Sequence, residues 1–295
     1  MTTHQLVMLV WSLVGLSVFI YLFFQTAPYG RHQEKGWGFE ISSRWGWILM
    51  ESPAFYLMLV FLVLNFSNSS NFSIFAAVLF MIHYFNRSFI WPIRARIKNK
   101  SMPITIALSA FLFNFVNVYI QGTWLFYISD YTSSHFYSIP FFLGLSLFFI
   151  GMFINIKSDE ILFSLREKNE GYQVPKGFMY KYVSCPNYFG EFIEWLGWAI
   201  MTFSTAGFVF FFWTVANLLP RAVANHNWYK ENFDDYKIKY FNAFNEDPTH
   251  LSLLSYDLVG LVYYLSLNSN NENLNKIFKR KNSFKGKIGI FDIKN

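Results

Sequence analysis

Long apolar runs alternate with short polar breaks along most of the chain. Five stretches, 6–25, 46–65, 72–93, 103–121 and 138–156, are uncharged or nearly so. Each reaches the roughly 20 helical residues that cross a ~30 Å hydrocarbon core. A sixth run, 188–219, is too long for one helix. Within it Ser204-Thr205-Ala206-Gly207 reads as a turn, giving two short spans with the first beginning near Tyr182. From Lys237 the character changes to Asn, Ser and Lys, and the one apolar run left, 258–267, is too short to span. The pattern predicts an all-α polytopic membrane domain over 1–236 with seven transmembrane helices, followed by a divergent, poorly ordered tail over 237–295.

The basic residues orient those helices. Of 24 Lys and Arg, all but Arg87 fall after spans one, three, five and seven, whereas 66–71, 122–137 and 204–207 hold none. By the positive-inside rule the amino terminus is non-cytosolic and the carboxy terminus cytosolic. A single helix over 188–219 would leave the basic tail on the wrong side. Charged residues make up 14% of the chain against 54% hydrophobic. That proportion is well below the ~25% of soluble domains, so lipid is the expected solvent. The net charge of +6 suits anionic headgroups and gives no reason to expect a nucleic-acid partner. One cysteine, Cys185, excludes an internal disulfide framework and reads as a small residue filling a tight turn.

Polar residues inside these runs are expensive, so each is a candidate for function. Pro186 precedes a helix on which Asn187, Glu191 and Trp195 recur at four-residue spacing and share one face. Such a face either holds a polar, ring-shaped ligand or seals a helix end, with the glutamates paired to cations. Glu51 lies inside span two, and His83, Tyr84 and Arg87 fall within one turn of span three. Either Glu51 and Arg87 lock two helices together, or Glu51 and the Tyr84 phenol face one buried oxygen. Asn155, Asp159 and Arg166 form a stripe leaving span five, and Arg221, Asn225, Tyr229 and Phe233 form another after span seven. With the Asn187 helix these make three walls of one cytosol-facing pocket. Asn114, Asn117 and Gln121 on span four must find partners inside the protein or on a ligand. The triplets at Asn65, Asn68 and Asn71 have a glycosylation pattern but read as a polar turn.

Taken in order, several pieces resemble the steroid 5-alpha-reductase family of membrane oxidoreductases over about residues 29–236. They are Tyr29-Gly30-Arg31-His32, Glu51 with Ser52-Pro53, His83-Tyr84-Phe85 with Arg87, Gly151-Met152 through Asn155 and Ser158-Asp159, and Asn187-Tyr188-Phe189-Gly190-Glu191 with Glu194-Trp195. The resemblance implies a seven-helix enzyme that takes a hydride from NADPH and adds it to the double bond of a lipid enone such as a 3-oxo-Δ4 steroid. It implies Glu51 and Tyr84 at the substrate carbonyl. It also implies a cofactor grip of Asn155, Asp159, Arg166, Asn187, Glu191, Arg221 and Tyr229, with Trp47, Tyr29, Tyr172 and Trp195 nearby. No metal and no obligate protein partner are implied, and the membrane would be the endoplasmic reticulum of a eukaryote or the inner membrane of a bacterium.

The residue types suit that chemistry. Hydride attack on an enone pushes charge onto the carbonyl oxygen, where a carboxylic acid and a phenol can donate. Gly36-Trp37-Gly38 lacks the third glycine of a dinucleotide fingerprint, so helix side chains must hold the nicotinamide. Met50 replaces a glutamine frequent in steroid-specific members of the family, and Asn225 replaces a frequent histidine. A polyprenol precursor or a very-long-chain enoyl thioester therefore stays open as substrate. In another class, so does a membrane methyltransferase using S-adenosylmethionine.

Overall fold

The first apolar run folds as α1 (Thr3–Phe24), opened by a capping box in which Thr2 and Gln5 exchange bonds. This computed structural model describes residues 1–34, 36–97, 99–168, 171–236, 283–286 and 289–292. The helices that follow are α2 (Ser43–Asn65), α3 (Asn71–Phe85), α4 (Trp91–Arg94), α5 (Ile104–Thr123), α6 (Ile139–Lys168), α7 (Pro186–Thr202) and α8 (Thr205–Asn232). A π-helical turn, Asn86–Ile90, joins α3 to α4 without a break. A short antiparallel ribbon pairs β1 (Glu40–Ser42) with β2 (Ser101–Pro103). A second pairs β3 (Ser283–Gly286) with β4 (Gly289–Asp292). The rest of the expected 237–295 tail lies outside the described residues.

Two compact units are present: Met1–Lys176 with Cys185–Asn227, and Gly177–Ser184 with the described residues from Trp228 onward. In the second, Tyr229 stacks on Tyr236, with ring centroids 5.2 Å apart, and the Tyr236 hydroxyl lies 2.7 Å from Ser184 Oγ.

Six helices among the described residues are long and apolar enough to cross a membrane. Their outer faces present side chains such as Val63 and Leu112, 65% and 63% exposed, as lipid contact requires. The seventh expected span is α7, which at 17 residues sits at the lower limit for crossing. Two expected boundaries need correcting. The first helix of the run 188–219 begins at Pro186 and not near Tyr182, and the second is not short, because α8 continues through Pro220 to Asn232. The helix of span five runs on to Lys168, as the Asn155, Asp159 and Arg166 stripe requires. The division itself falls where expected: Phe203 ends α7 at φ +44°, and Ser204 Oγ accepts the Gly207 N–H at 2.9 Å to start α8. The glycosylation-type triplets are absorbed in the same way. Asn65 and Ser69 bond back onto α2, and Ser70 caps α3.

Glycine sets the closest helix contact. Gly144 and Gly151 on α6 lie against Gly197 and Gly190 on antiparallel α7. A methyl group on Gly190 would sit 2.6 Å from the Asn155 backbone nitrogen, and one on Gly151 would strike the Glu194 backbone. Small residues let helices approach closely when lipid supplies no hydrophobic drive. Here the approach carries Asn155 onto α7, where its Nδ2 donates to the Asn187 carbonyl at 3.0 Å and to Glu191 Oε1 at 3.1 Å. Helix propensity alone predicts that Gly151→Ala stabilises by about 1 kcal/mol. The backbone clash reverses the sign, and we expect a net loss of about 1–3 kcal/mol, measured as a lower thermal midpoint in detergent.

Candidate active site

Polar groups from α2, α3, α5 and α7 converge on one cavity. Glu51 is carried by α2 and Tyr84 by α3, and both line a space of about 490 Å³ with Trp47, Arg87, Glu191, Trp195 and Tyr29. That volume falls within the ~300–1,000 Å³ of small-molecule sites. The remaining wall is largely apolar and comes from α1, α5 and α8, including Trp11, Phe113 and Phe210. An elongated apolar molecule with one polar end fits this division. Asn114 lines the cavity too, donating Nδ2 to the Met50 carbonyl at 2.6 Å while its buried Oδ1 meets no partner among the described residues.

Arg87 organises the polar wall. Its guanidinium is 3.4 Å from Asp159 Oδ2 and 3.7 Å from Glu191 Oε1, and it lies over the rings of Trp47 and Trp91. Its ion pairs therefore run to α6 and α7, and the alternative Glu51–Arg87 salt bridge is not formed. Asp159 also accepts from Trp91 Nε1 at 2.6 Å and from Asn187 Nδ2 at 3.2 Å. Asn155, Asp159 and Asn187 thus stand behind Glu191 and Arg87, one layer out from the cavity surface. Arg166 extends the same stripe but donates to the Ala95 carbonyl at 2.7 Å.

The Tyr29 loop is clamped from α8. Arg221, 8% exposed, donates to the carbonyls of Ala27 and Tyr29 and to the Tyr188 hydroxyl, and covers the Tyr29 ring at 3.5 Å. Gly30, at φ +66°, supplies the left-handed backbone this turn needs. His32 bonds Asn225 at 3.0 Å; burial, reinforced by Arg221 and Arg31 and opposed by the Asn225 bond, lowers its pKa and favours the neutral ring. Tyr172 has Arg31 and Lys100 over its ring, at 5.2 and 4.7 Å. Tyr229 belongs to the second unit.

Sequence reasoning missed two contacts. Nothing paired His83 with Glu194, yet Nδ1 lies 2.8 Å from Glu194 Oε1. Trp91 carried no signal, because only the fold brings it against Asp159. Cys185, read as a turn filler, precedes α7 as a buried thiol 3.6 Å from Asn225 Nδ2. Burial pushes its pKa up, so the unreactive thiol dominates at neutral pH. We expect Cys185 to resist maleimide in the folded protein and to label after denaturation, read by mass shift.

Known proteins resemble this chain in sequence. Residues 100–240 fit the family model described as 3-oxo-5-alpha-steroid 4-dehydrogenase. The steroid 5-alpha-reductase DET2 of Gossypium hirsutum is 42% identical over 232 residues, covering 76% of this chain and 89% of the relative. The chain belongs to the steroid 5-alpha-reductase family. The DET2 protein of Arabidopsis thaliana is 43% identical, with coverages of 73% and 85%. The rat 3-oxo-5-alpha-steroid 4-dehydrogenase 1 is 36% identical, with coverages of 71% and 82%. Steroid 5-alpha-reductases are oxidoreductases acting on CH–CH groups, and membership sets the methyltransferase alternative aside.

Proposed function

We propose that this protein reduces the carbon–carbon double bond of a 3-oxo-Δ4 steroid, with NADPH as hydride donor. The observation that carries the reading is that Glu51 and Tyr84, from different helices, line one largely apolar cavity with Arg87 and Glu191 beside them. A protonated Glu51 and the Tyr84 phenol donate to the carbonyl oxygen as negative charge develops there. Such preorganised donors are worth most where water is excluded. The apolar wall from α1, α5 and α8 takes the fused rings.

The residues fit the cofactor as well. Tyr172, flanked by Arg31 and Lys100, offers an aromatic face between two cations, suited to a base and its phosphates. Asn155, Asp159, Asn187 and Glu191 form a hydrogen-bonded surface for ribose and carboxamide groups. Arg221 acts by fixing the Tyr29 loop, and Arg166 by extending the α6 stripe. Bound NADPH supplies the hydride. The distribution of basic segments supports a cytosolic orientation for this side of the bundle, in the endoplasmic reticulum of a eukaryote or the inner membrane of a bacterium.

The purified protein with NADPH and a 3-oxo-Δ4 steroid should yield a product heavier by two hydrogens. Reduction of a polyprenal or an enoyl thioester, with the steroid untouched, would replace the substrate assignment.

A further inference from the structure

Hydride transfer leaves enone reduction half finished. The hydride brings two electrons and one hydrogen to the β-carbon, and the π pair moves through the α-carbon onto the carbonyl oxygen. A proton must then reach the α-carbon, and Glu51 and Tyr84 are assigned to the oxygen. The other cavity-lining groups narrow the source, Tyr21 being 52% exposed on α1. Arg87 does not release a proton. Glu191 accepts from Asn155 and faces Arg87. Tyr29 lies beneath Arg221.

His83 also lines the cavity, next in sequence to Tyr84 and so on an adjoining face of α3. Its ring is held on two sides: Nδ1 is 2.8 Å from Glu194 Oε1, and the Trp195 ring stands edge-on with centroids 4.6 Å apart. Glu194 is fully buried, and among the described residues its side chain hydrogen-bonds to the His83 ring while Oε2 meets no donor. A carboxylate with one oxygen on Nδ1 and the other without a donor is the charge that an imidazolium at His83 would answer. With Nδ1–H committed to Glu194, Nε2 makes no hydrogen bond among the described residues.

We propose that His83 is the catalytic proton donor and that Glu194 is its positioning residue. The Nε2–H proton bonds to the α-carbon of the enolate, the N–H electron pair stays on the imidazole, and the ring regains a proton from water after product release. This assignment rests on the enone-reductase reading above.

Microscopic reversibility supplies a test without cofactor. The wild type, in D₂O with a saturated 3-keto steroid, should exchange the α-hydrogen for deuterium, read by mass spectrometry. His83→Gln should lower exchange at least about 100-fold, within the range general acid–base groups contribute. Glu194→Gln keeps an acceptor for Nδ1–H but removes the charge, and should lower exchange about tenfold. Both should still bind the ketone, read by tryptophan quenching. Exchange at the wild-type rate in either variant overturns the proposal. So does loss of ketone binding in both, which marks the pair as structural, and so does a wild type that reduces the enone without exchanging. Failure of the wild type to reduce any 3-oxo-Δ4 steroid removes the functional reading instead.

Discussion

Glu51→Ala is expected to lower kcat by about 10²–10³-fold, the usual effect of deleting one preorganised donor, while NADPH affinity stays close to wild type. Glu51 sits on α2 at the cavity surface, on a different helix from the hydrogen-bonded surface that α6 and α7 build. Asn187→Ala should do the reverse. It removes the donor 3.2 Å from Asp159 Oδ1 and one wall of the proposed ribose surface, so NADPH should bind about tenfold more weakly, equivalent to ~1.4 kcal/mol. Tyr84→Phe should resemble Glu51→Ala, and the double variant should cost less than the product of the singles, because the two donors serve one oxygen. Turnover by mass spectrometry and NADPH titration by fluorescence separate the effects. Equal loss of cofactor affinity in Glu51→Ala and Asn187→Ala would end the division of labour between α2–α3 and α6–α7.

What the sequence made legible was local or periodic. Asn187, Glu191 and Trp195 were placed on one face by four-residue spacing, and Pro186 marked the helix start, which α7 confirms to the residue before Asn187. Glu51 and Tyr84 stood out because polar groups inside apolar runs are costly. What stayed hidden was the partner of each buried charge. Arg87 meets Asp159 across 72 residues of chain and His83 meets Glu194 across 111, and composition carries no record of such pairings. Helix ends that leave the apolar run were legible from the same periodicity. α6 continues to Lys168, as the Asn155, Asp159 and Arg166 stripe required, and α8 passes Pro220 to Asn232, as the four-residue stripe from Arg221 required. The glycines at 151 and 190 show only in hindsight as the reason Asn155 can reach Glu191.

Arg87→Ala is expected to destabilise the fold itself. Side chains of Arg87, Asp159 and Glu191 are 11%, 4% and 13% exposed, so removing the cation strands two carboxylates in a water-poor bundle. Deleting one partner of a buried pair costs about 3–5 kcal/mol, because the remaining charge keeps its desolvation penalty. Arg87→Lys should recover only part of this. The guanidinium spans two carboxylates and lies over both Trp47 and Trp91, 5.2 and 5.1 Å from their ring centres, and a lysine ammonium is a point charge without that planar fork. Denaturation of the purified variants in detergent should rank wild type above Arg87→Lys above Arg87→Ala. Neutralising one carboxylate in the alanine background, as Arg87→Ala with Asp159→Asn, should restore part of the loss, since the introduced amide could still accept from Trp91 Nε1 without a stranded charge. If Arg87→Lys matched wild type, the cation would be acting as bare charge, and the two tryptophans would have no part in holding the wall of the cavity.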